Sequence, residues 1–369
     1  MKKVLLTGAA FVAMAASPAM AAGLDLDLAG HFKGYGVYND EAGKDFSIRK
    51  ETEVHFTGET TLDNGLTVGV HVEANVDGDD DAAGTAVALG ATGAADPSDT
   101  IEESYMYVSG GWGRINLGEE DGAAYLLQVA APSADSNVDG LRQYISASQF
   151  GAIDYAQDTS LNSNKVTYMT PVFSGFQMGA SYVPGVTEGL YQNGTDTAVD
   201  VDAGLDDGYE LAARYEGAFN NVGVAFGAGW GDYNGDGTTG DSESWNVGLD
   251  LDFAGFGIGA AYTENEGSIV DPILGAALGL APGGVIDVDS ETIVVGADYQ
   301  LGAYKLGASW LNLDGEVGTA DVDLDRYTGG VSYAYGPGMS FRGSVSYIDN
   351  DAAGFDDETQ VLLGTQVNF

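Results

Sequence analysis

The feature that most constrains this chain is an alternation of period two. It recurs along nearly the whole length in runs of about ten residues. Trp245, Val247, Leu249, Leu251 and Phe253 are apolar, and Asn246, Gly248, Asp250 and Asp252 fall between them. Successive strand side chains point to opposite faces, so this pattern is a strand with one apolar face. Leu24, Leu26 and Leu28 alternate with Asp25, Asp27 and Ala29 in the same way. So do Ile293, Val295, Ala297, Tyr299 and Leu301 against Thr292, Asp298 and Gln300, then Tyr304, Leu306, Ala308 and Trp310. The pattern continues in Phe341, Val345 and Tyr347, and in Val361, Leu363, Val367 and Phe369. An all-β antiparallel fold follows, either a soluble sandwich with polar residues outward or a membrane barrel with the faces exchanged.

Two observations favour the barrel. The apolar face repeatedly ends in an aromatic residue, as at Tyr38, Tyr182, Trp230, Tyr262, Trp310, Tyr335 and Tyr347. Aromatics of that kind suit the two membrane–water boundaries. The connections also alternate. Short ones such as Asp63-Asn64-Gly65, Ala254-Gly255 and Gly302-Ala303 are followed by long acidic ones such as Asp77 to Asp99 and Glu264 to Ser290. Outer-membrane barrels have that asymmetry. None of the eight prolines falls inside an alternating run, where it would remove a ladder donor. Sixteen strands are predicted, starting near Leu24, Phe46, Leu66, Thr100, Arg114, Asn164, Phe176, Tyr209, Val222, Ser244, Phe256, Glu291, Tyr304, Asp325, Ser340 and Asp357. They form a single domain, a 16-stranded antiparallel transmembrane β-barrel over residues 22–369.

The residues before it read as an export signal. Met1-Lys2-Lys3 is basic, Val4 to Ala16 is a short apolar run, and Ala19-Met20-Ala21 is a small-x-small cleavage site, giving a signal peptide over 1–21. That apolar run is too short to span a bilayer. The whole chain has 13 basic and 56 acidic residues, a formal charge of −43, and cleavage removes two lysines more. Such a charge argues against nucleic acid as a partner and draws cations. With no cysteine, disulfide scaffolds, thiol catalysis and thiolate metal sites are excluded.

One stretch breaks the rhythm. Glu119 to Ser163 holds about forty-five residues without sustained alternation, after the strand-like run Arg114 to Gly118. A structureless stretch that long inside a compact fold is functional or it contradicts the strand assignment. It is read here as a loop folded into the barrel, where it narrows a water-filled pore.

At this point the residues resemble the Gram-negative general diffusion porins, nearest the α-proteobacterial type. The resemblance rests on Phe56-Thr57-Gly58-Glu59 followed by Leu62 to Leu66, and on Tyr105 to Gly118 opening into the long loop. Tyr168-Met169-Thr170-Pro171 leading to Gly175-Phe176, and the final Phe369, add to it. The resemblance implies a homotrimer of such barrels in the outer membrane, with the third loop inward. It implies loop acids, here Glu119, Glu120, Asp121, Asp135 and Asp139, facing wall cations, here Lys33 and Arg49. Many relatives carry an arginine where this chain has Glu53, and another where it has Glu102. Cation preference is therefore expected.

The register can be guessed for the first strands. If Tyr38 closes against Phe46, Lys33 lies opposite Glu51, His31 opposite Glu53 and Tyr35 opposite Arg49. If Leu62 pairs with Leu66, His55 lies opposite Glu73 and His71 opposite Thr57. All three histidines then share one patch of pore wall. A pH-sensitive or weak divalent-metal site is one reading, and ordinary polar lining is the favoured one. The expected constriction is Lys33, Arg49, Glu51, Glu53, Glu102, Glu119, Glu120, Asp121, Asp135, Asp139, Arg142 and Arg342. Asp232, Asn234, Asp236 and Glu243 fit the spacing of a Ca²⁺ loop, a second candidate site, although strands rather than helices flank them. No other cofactor is expected.

No nucleophile elbow, phosphate loop or zinc spacing is present, so a non-enzyme is expected. The expected function is passive diffusion of small hydrophilic solutes and ions across the outer membrane, with outer-membrane lipid and lipopolysaccharide as surroundings. A substrate-specific porin on the same fold is the alternative. From another class, the alternative is an outer-membrane adhesin or structural barrel, against which the inward loop argues.

Overall fold

The computed structural model describes residues 25–41, 46–76, 101–133, 138–139, 141–143, 145, 148, 153, 155–186, 205–235, 240–267, 288–317, 320–351 and 356–369. The expected signal peptide lies outside them. The barrel strands are β1 (Asp25–Asn39), β2 (Phe46–Thr61), β3 (Thr67–Asn75), β4 (Ile101–Gly110), β5 (Gly113–Glu119), β8 (Asn164–Met169), β9 (Phe176–Val183) and β10 (Leu205–Phe219). They continue with β11 (Val222–Gly235), β12 (Ser242–Phe253), β13 (Phe256–Gly267), β14 (Val288–Leu301), β15 (Tyr304–Val317), β16 (Ala320–Gly336), β17 (Met339–Asn350) and β18 (Glu358–Asn368). These sixteen antiparallel strands pair in chain order, and β1 pairs with β18 to close the ring. Gly30 N–H donates to Phe369 O at 2.9 Å, and Phe369 N–H returns a bond to Gly30 O at 3.0 Å, sealing the seam. Closure leaves no unpaired edge. Between β5 and β8 lie a helical turn, α1 (Ala123–Leu126), and a two-stranded ribbon, β6 (Val138–Asp139) with β7 (Arg142–Gln143).

The strand starts agree with expectation at the short turns to within a residue, as at Phe176, Val222, Phe256 and Tyr304. At some long-loop ends the strands begin earlier, at Leu205 rather than Tyr209 and at Ala320 rather than Asp325. Residues there, such as Asp206, Asp207 and Asp323, are polar on both faces. Alternation fades once both faces meet water, but the backbone ladder continues.

The sides of the wall are exchanged relative to a soluble protein. Leu26 is 79% exposed and Ile48 81%, whereas Lys33, Glu51, Asn116 and Thr167 are buried inside. Outward aromatics pair across strands near both rims. Tyr182–Tyr209 and Trp245–Tyr262 stand toward the long loops, at 5.1 and 4.7 Å between ring centroids. Phe256–Tyr299 and Tyr304–Tyr333 stand toward the short turns, at 4.3 and 4.7 Å. Two-residue turns join strands there. Asn220-Asn221 and Ala254-Gly255 have positive φ at both positions, which gives a turn whose twist matches the hairpin.

Candidate pore constriction

The loop between β5 and β8 lies within the barrel and leans on one side. Ala123 N–H donates to Ser181 Oγ at 2.9 Å and Ala124 N–H to Glu210 Oε2 at 3.0 Å, fixing α1 against β9 and β10. Gln157 Nε2 donates to Ser244 Oγ at 2.8 Å, and Gln128 Nε2 to Thr263 Oγ1 at 3.1 Å. Arg214 donates to Gln128 O and Arg326 to Ile153 O. Below these bonds Ala131, Leu141, Ile153 and Tyr155 pack on Ala261, Val294, Leu311 and Leu324. The seat is cut by glycine. An ideal Cβ at Gly248 would overlap Val129 O, and one at Gly296 would overlap Pro132 O. Farther along, Ile145 packs with Tyr35, Val37 and Leu362, and Ser148 bonds Glu358.

A knot of charge anchors the loop. Arg142 bridges Asp121 at 2.9 Å and also Asp158, with its guanidinium 4.4 Å over the Tyr125 ring. Lys165 donates to the carbonyls of Glu120 and Leu161. Burial pushes the Asp158 carboxyl up to about 7 and Glu120 up to about 8. Arg142 opposes the first shift, and Arg114 and Lys165 oppose the second. Asp121 is raised by burial as well, against the pull of Arg142.

The glycine-cut seat on β11–β14 is half-way round the ring from β1–β4. On that far wall the registers are as expected: Tyr38 opposite Phe46, Lys33 opposite Glu51, His31 opposite Glu53 and Tyr35 opposite Arg49. His55 opposes Glu73 and His71 opposes Thr57. Lys33 Nζ sits 3.2 Å from Glu51. His31 lies 3.1 Å from Glu51 and 3.3 Å from Glu53, and His55 lies 3.4 Å from Glu53 and 3.0 Å from Glu73. Glu102 accepts from Asn75 Nδ2 at 2.9 Å.

Sequence reasoning missed Glu103. The β3–β4 register slips between Glu73 and Ala74, so Glu73 opposes Glu103 while Ala74 opposes Ile101. This bulge lets both Glu102 and Glu103 approach the lumen cluster. Glu103 lies 3.9 Å from His71, and Glu102 lies with Glu53 and Glu73. The two adjacent acids at a strand start were the only signal. Asp158, Lys165 and Glu210 were also missed, because nothing local marks which polar residues a folded loop will meet.

Other expected site residues lie elsewhere. Glu119 ends β5 on the parity of Ile115 and Leu117, which face outward, so register separates it from the pore-facing acids. Arg342 lies on β17 and donates to Ser340 Oγ at 3.2 Å. Asp135 is outside the described residues, and of Asp139 only the backbone, in β6, is described. The Ca²⁺-loop spacing meets a hairpin instead. Asp232 opposes Glu243 in the β11–β12 ladder, Glu243 accepts from Trp230 Nε1 at 2.7 Å, and Asn234 donates to Asp207 at 3.0 Å. Asp236 is outside the described residues.

Several solved structures share the fold. A porin matches with a TM-score of 0.62 at 22% identity, covering 94% of this chain and 100% of that one. A loop-deletion mutant of the outer-membrane protein OmpT of Vibrio cholerae matches at 0.61 and 15%, covering 94% and 99%. The anion-selective porin of Comamonas acidovorans matches at 0.59 and 14%, covering 94% and 100%. No curated protein matches the chain. The family model of Gram-negative porins matches residues 8–353, and with the closed barrel and inward loop this establishes the chain as a member of that family, an outer-membrane porin.

Proposed function

We propose that the chain is a passive, water-filled channel for small hydrophilic solutes and ions that prefers cations, and that it needs no cofactor. The observation that carries this reading is the charge of the β1–β4 wall. Glu51, Glu53, Glu73, Glu102 and Glu103 gather across the ring from the loop's glycine seat, with Lys33 and the three histidines among them, and Glu103 also accepts from the Asp121 backbone at the root of the loop. Arg49 stands on the same face of β2 as Glu51 and Glu53, opposite Tyr35, and is outnumbered there, while several further inward cations face separate partners. Arg142 is bridged to two loop acids, Arg214 is bridged to Glu216, Lys305 is bridged to Asp298 at 2.7 Å, and Lys165 and Arg326 point at carbonyls. A narrow passage between low-dielectric walls concentrates such a field.

The fold by itself does not set the sign, since one matched structure is named anion-selective. The sign belongs to the side chains. A homotrimer is the proposed assembly, supported by the family and by a trimer form of Vibrio cholerae OmpT among the matched structures. Residues 1–21 are proposed to be a cleaved export signal, with lipid and lipopolysaccharide around the outward apolar band. Reversal potentials in planar bilayers across a KCl gradient test the function. The expected sign is that of K⁺ permeating faster than Cl⁻, and anion preference would overturn the assignment of the wall.

A further inference from the structure

The chain has three histidines in 369 residues, and all three stand on the β1–β3 wall. His31 Nδ1 and His55 Nε2 approach the same oxygen, Glu53 Oε2, at 3.3 and 3.4 Å. One donor atom from each of His31, Glu53 and His55 lies within 4.8 Å of the others. The same holds for His55, His71 and Glu73. Ligands about 2.0–2.2 Å from a tetrahedral zinc ion are separated from one another by about 3.3–3.5 Å. The two nitrogen–oxygen spacings of the first trio already have that length.

The backbone enforces this placement. His31 and Glu53 are directly opposed in the ladder, and Glu53 and His55 are two apart on one face of β2. Side-chain exposure of 14% for His31, 9% for Glu53 and 25% for His55 leaves the trio open to the lumen. Water can then fill a fourth position. Plain ion pairing is the competing account. In it, both ring nitrogens of His31 and of His55 face carboxylate oxygens. A divalent ion supplies positive charge to the same atoms and takes the neutral ring as ligand. Imidazole with carboxylate suits zinc-type ions over Mg²⁺ and Ca²⁺.

We propose that His31, Glu53 and His55 bind a divalent transition-metal ion of the zinc type on the pore wall, and that occupancy lowers the K⁺ current. Binding stands on this geometry. The effect on current rests on the constriction described under Proposed function, because two added positive charges oppose cations only where the path is narrow.

The full-length protein in detergent, titrated with Co²⁺, tests binding. The expected result is a visible absorption band typical of four-coordinate cobalt, saturating at about one ion per chain. Zn²⁺ should displace it, a hundredfold excess of Mg²⁺ should not, and His55→Ala should abolish it. His31→Gln gives the same reading should the first variant fail to assemble. Absence of the band in the unmodified protein, or a band that survives both substitutions, would overturn the proposal. In bilayers, micromolar Zn²⁺ should reduce K⁺ conductance about twofold, an effect the His55→Ala channel loses. An equal effect of Mg²⁺ at the same concentration would show diffuse screening and overturn the site. A band lost in His55→Ala with no change in current leaves the ion site standing and overturns the placement of the constriction.

Discussion

Glu51 and Glu53 are the residues whose charge should matter most. A unit charge about 10 Å from the ion path is worth about 0.4 kcal/mol in water, a factor of about two in local cation concentration and its inverse for anions. The double variant Glu51→Gln/Glu53→Gln should lower the K⁺/Cl⁻ permeability ratio by about two- to fourfold after screening. Neutralising Asp79, Asp80 and Asp81, outside the described residues, should change it much less. Equal effects from the two sets would move the constriction elsewhere. The loop anchor has a different pH behaviour. Asp158 and Glu120 are raised to about 7 and about 8, so their contribution to anchoring is fully present below the ordinary carboxylate range. It is lost as pH rises through about 7 and then about 8. Single-channel records from pH 5 to 9 should show current noise growing from pH 5 up to about 8 and levelling off above it. Arg142→Ala leaves Asp121 and Asp158 without their counter-charge, a loss of about 3 kcal/mol in anchoring. Its noise should be high at neutral pH.

At the scale of elements, the glycine seat decides where the loop rests. A side chain at Gly248 or Gly296 collides with backbone carbonyls of the loop, which no rotamer change relieves. Gly296→Val should therefore displace the segment around Pro132 and alter conductance, while the outward band and the ladder remain as they are. Deleting residues 129–139 should enlarge the pore and leave a folded barrel, because the described residues of the loop make no ladder bonds with the sixteen barrel strands. Unchanged conductance in that deletion would place the loop outside the ion path. Hairpin registers at β1–β3 were legible in the sequence because tight connections fix pairing, and period two then fixes the face. The bulge that brings in Glu103 was not legible. It depends on how two strands joined by a long connection settle against each other. The long loop was legible as an interruption, but its seat was not. Gly248 and Gly296 acquire their meaning only when β12 and β14 stand beneath Val129 and Pro132.

At the scale of the whole molecule, a formal charge of −43 on the chain does not by itself predict selectivity. Many of the acids, Asp77, Asp79, Asp80 and Asp81 among them, belong to the long stretches between the alternating runs, and the field of exposed groups falls off over about 8 Å at physiological salt. Two sources of preference can be separated on this basis. Outer acids act over distance and are screened early, as the Debye length falls from about 30 Å at 0.01 M to about 10 Å at 0.1 M. The wall cluster on β1–β4 lines the passage itself, about 10 Å or less from passing ions, and is screened last, as the Debye length shortens toward about 3 Å at 1 M. The permeability ratio measured at equal concentration ratios should therefore fall modestly between dilute and 0.1 M KCl, and most steeply on approach to 1 M. The Glu51→Gln/Glu53→Gln channel should lose the high-salt part of that curve and keep the low-salt part. A ratio in the unmodified protein that collapses below 0.1 M would mean that the distant acids, and not the wall of β1–β4, choose the ion.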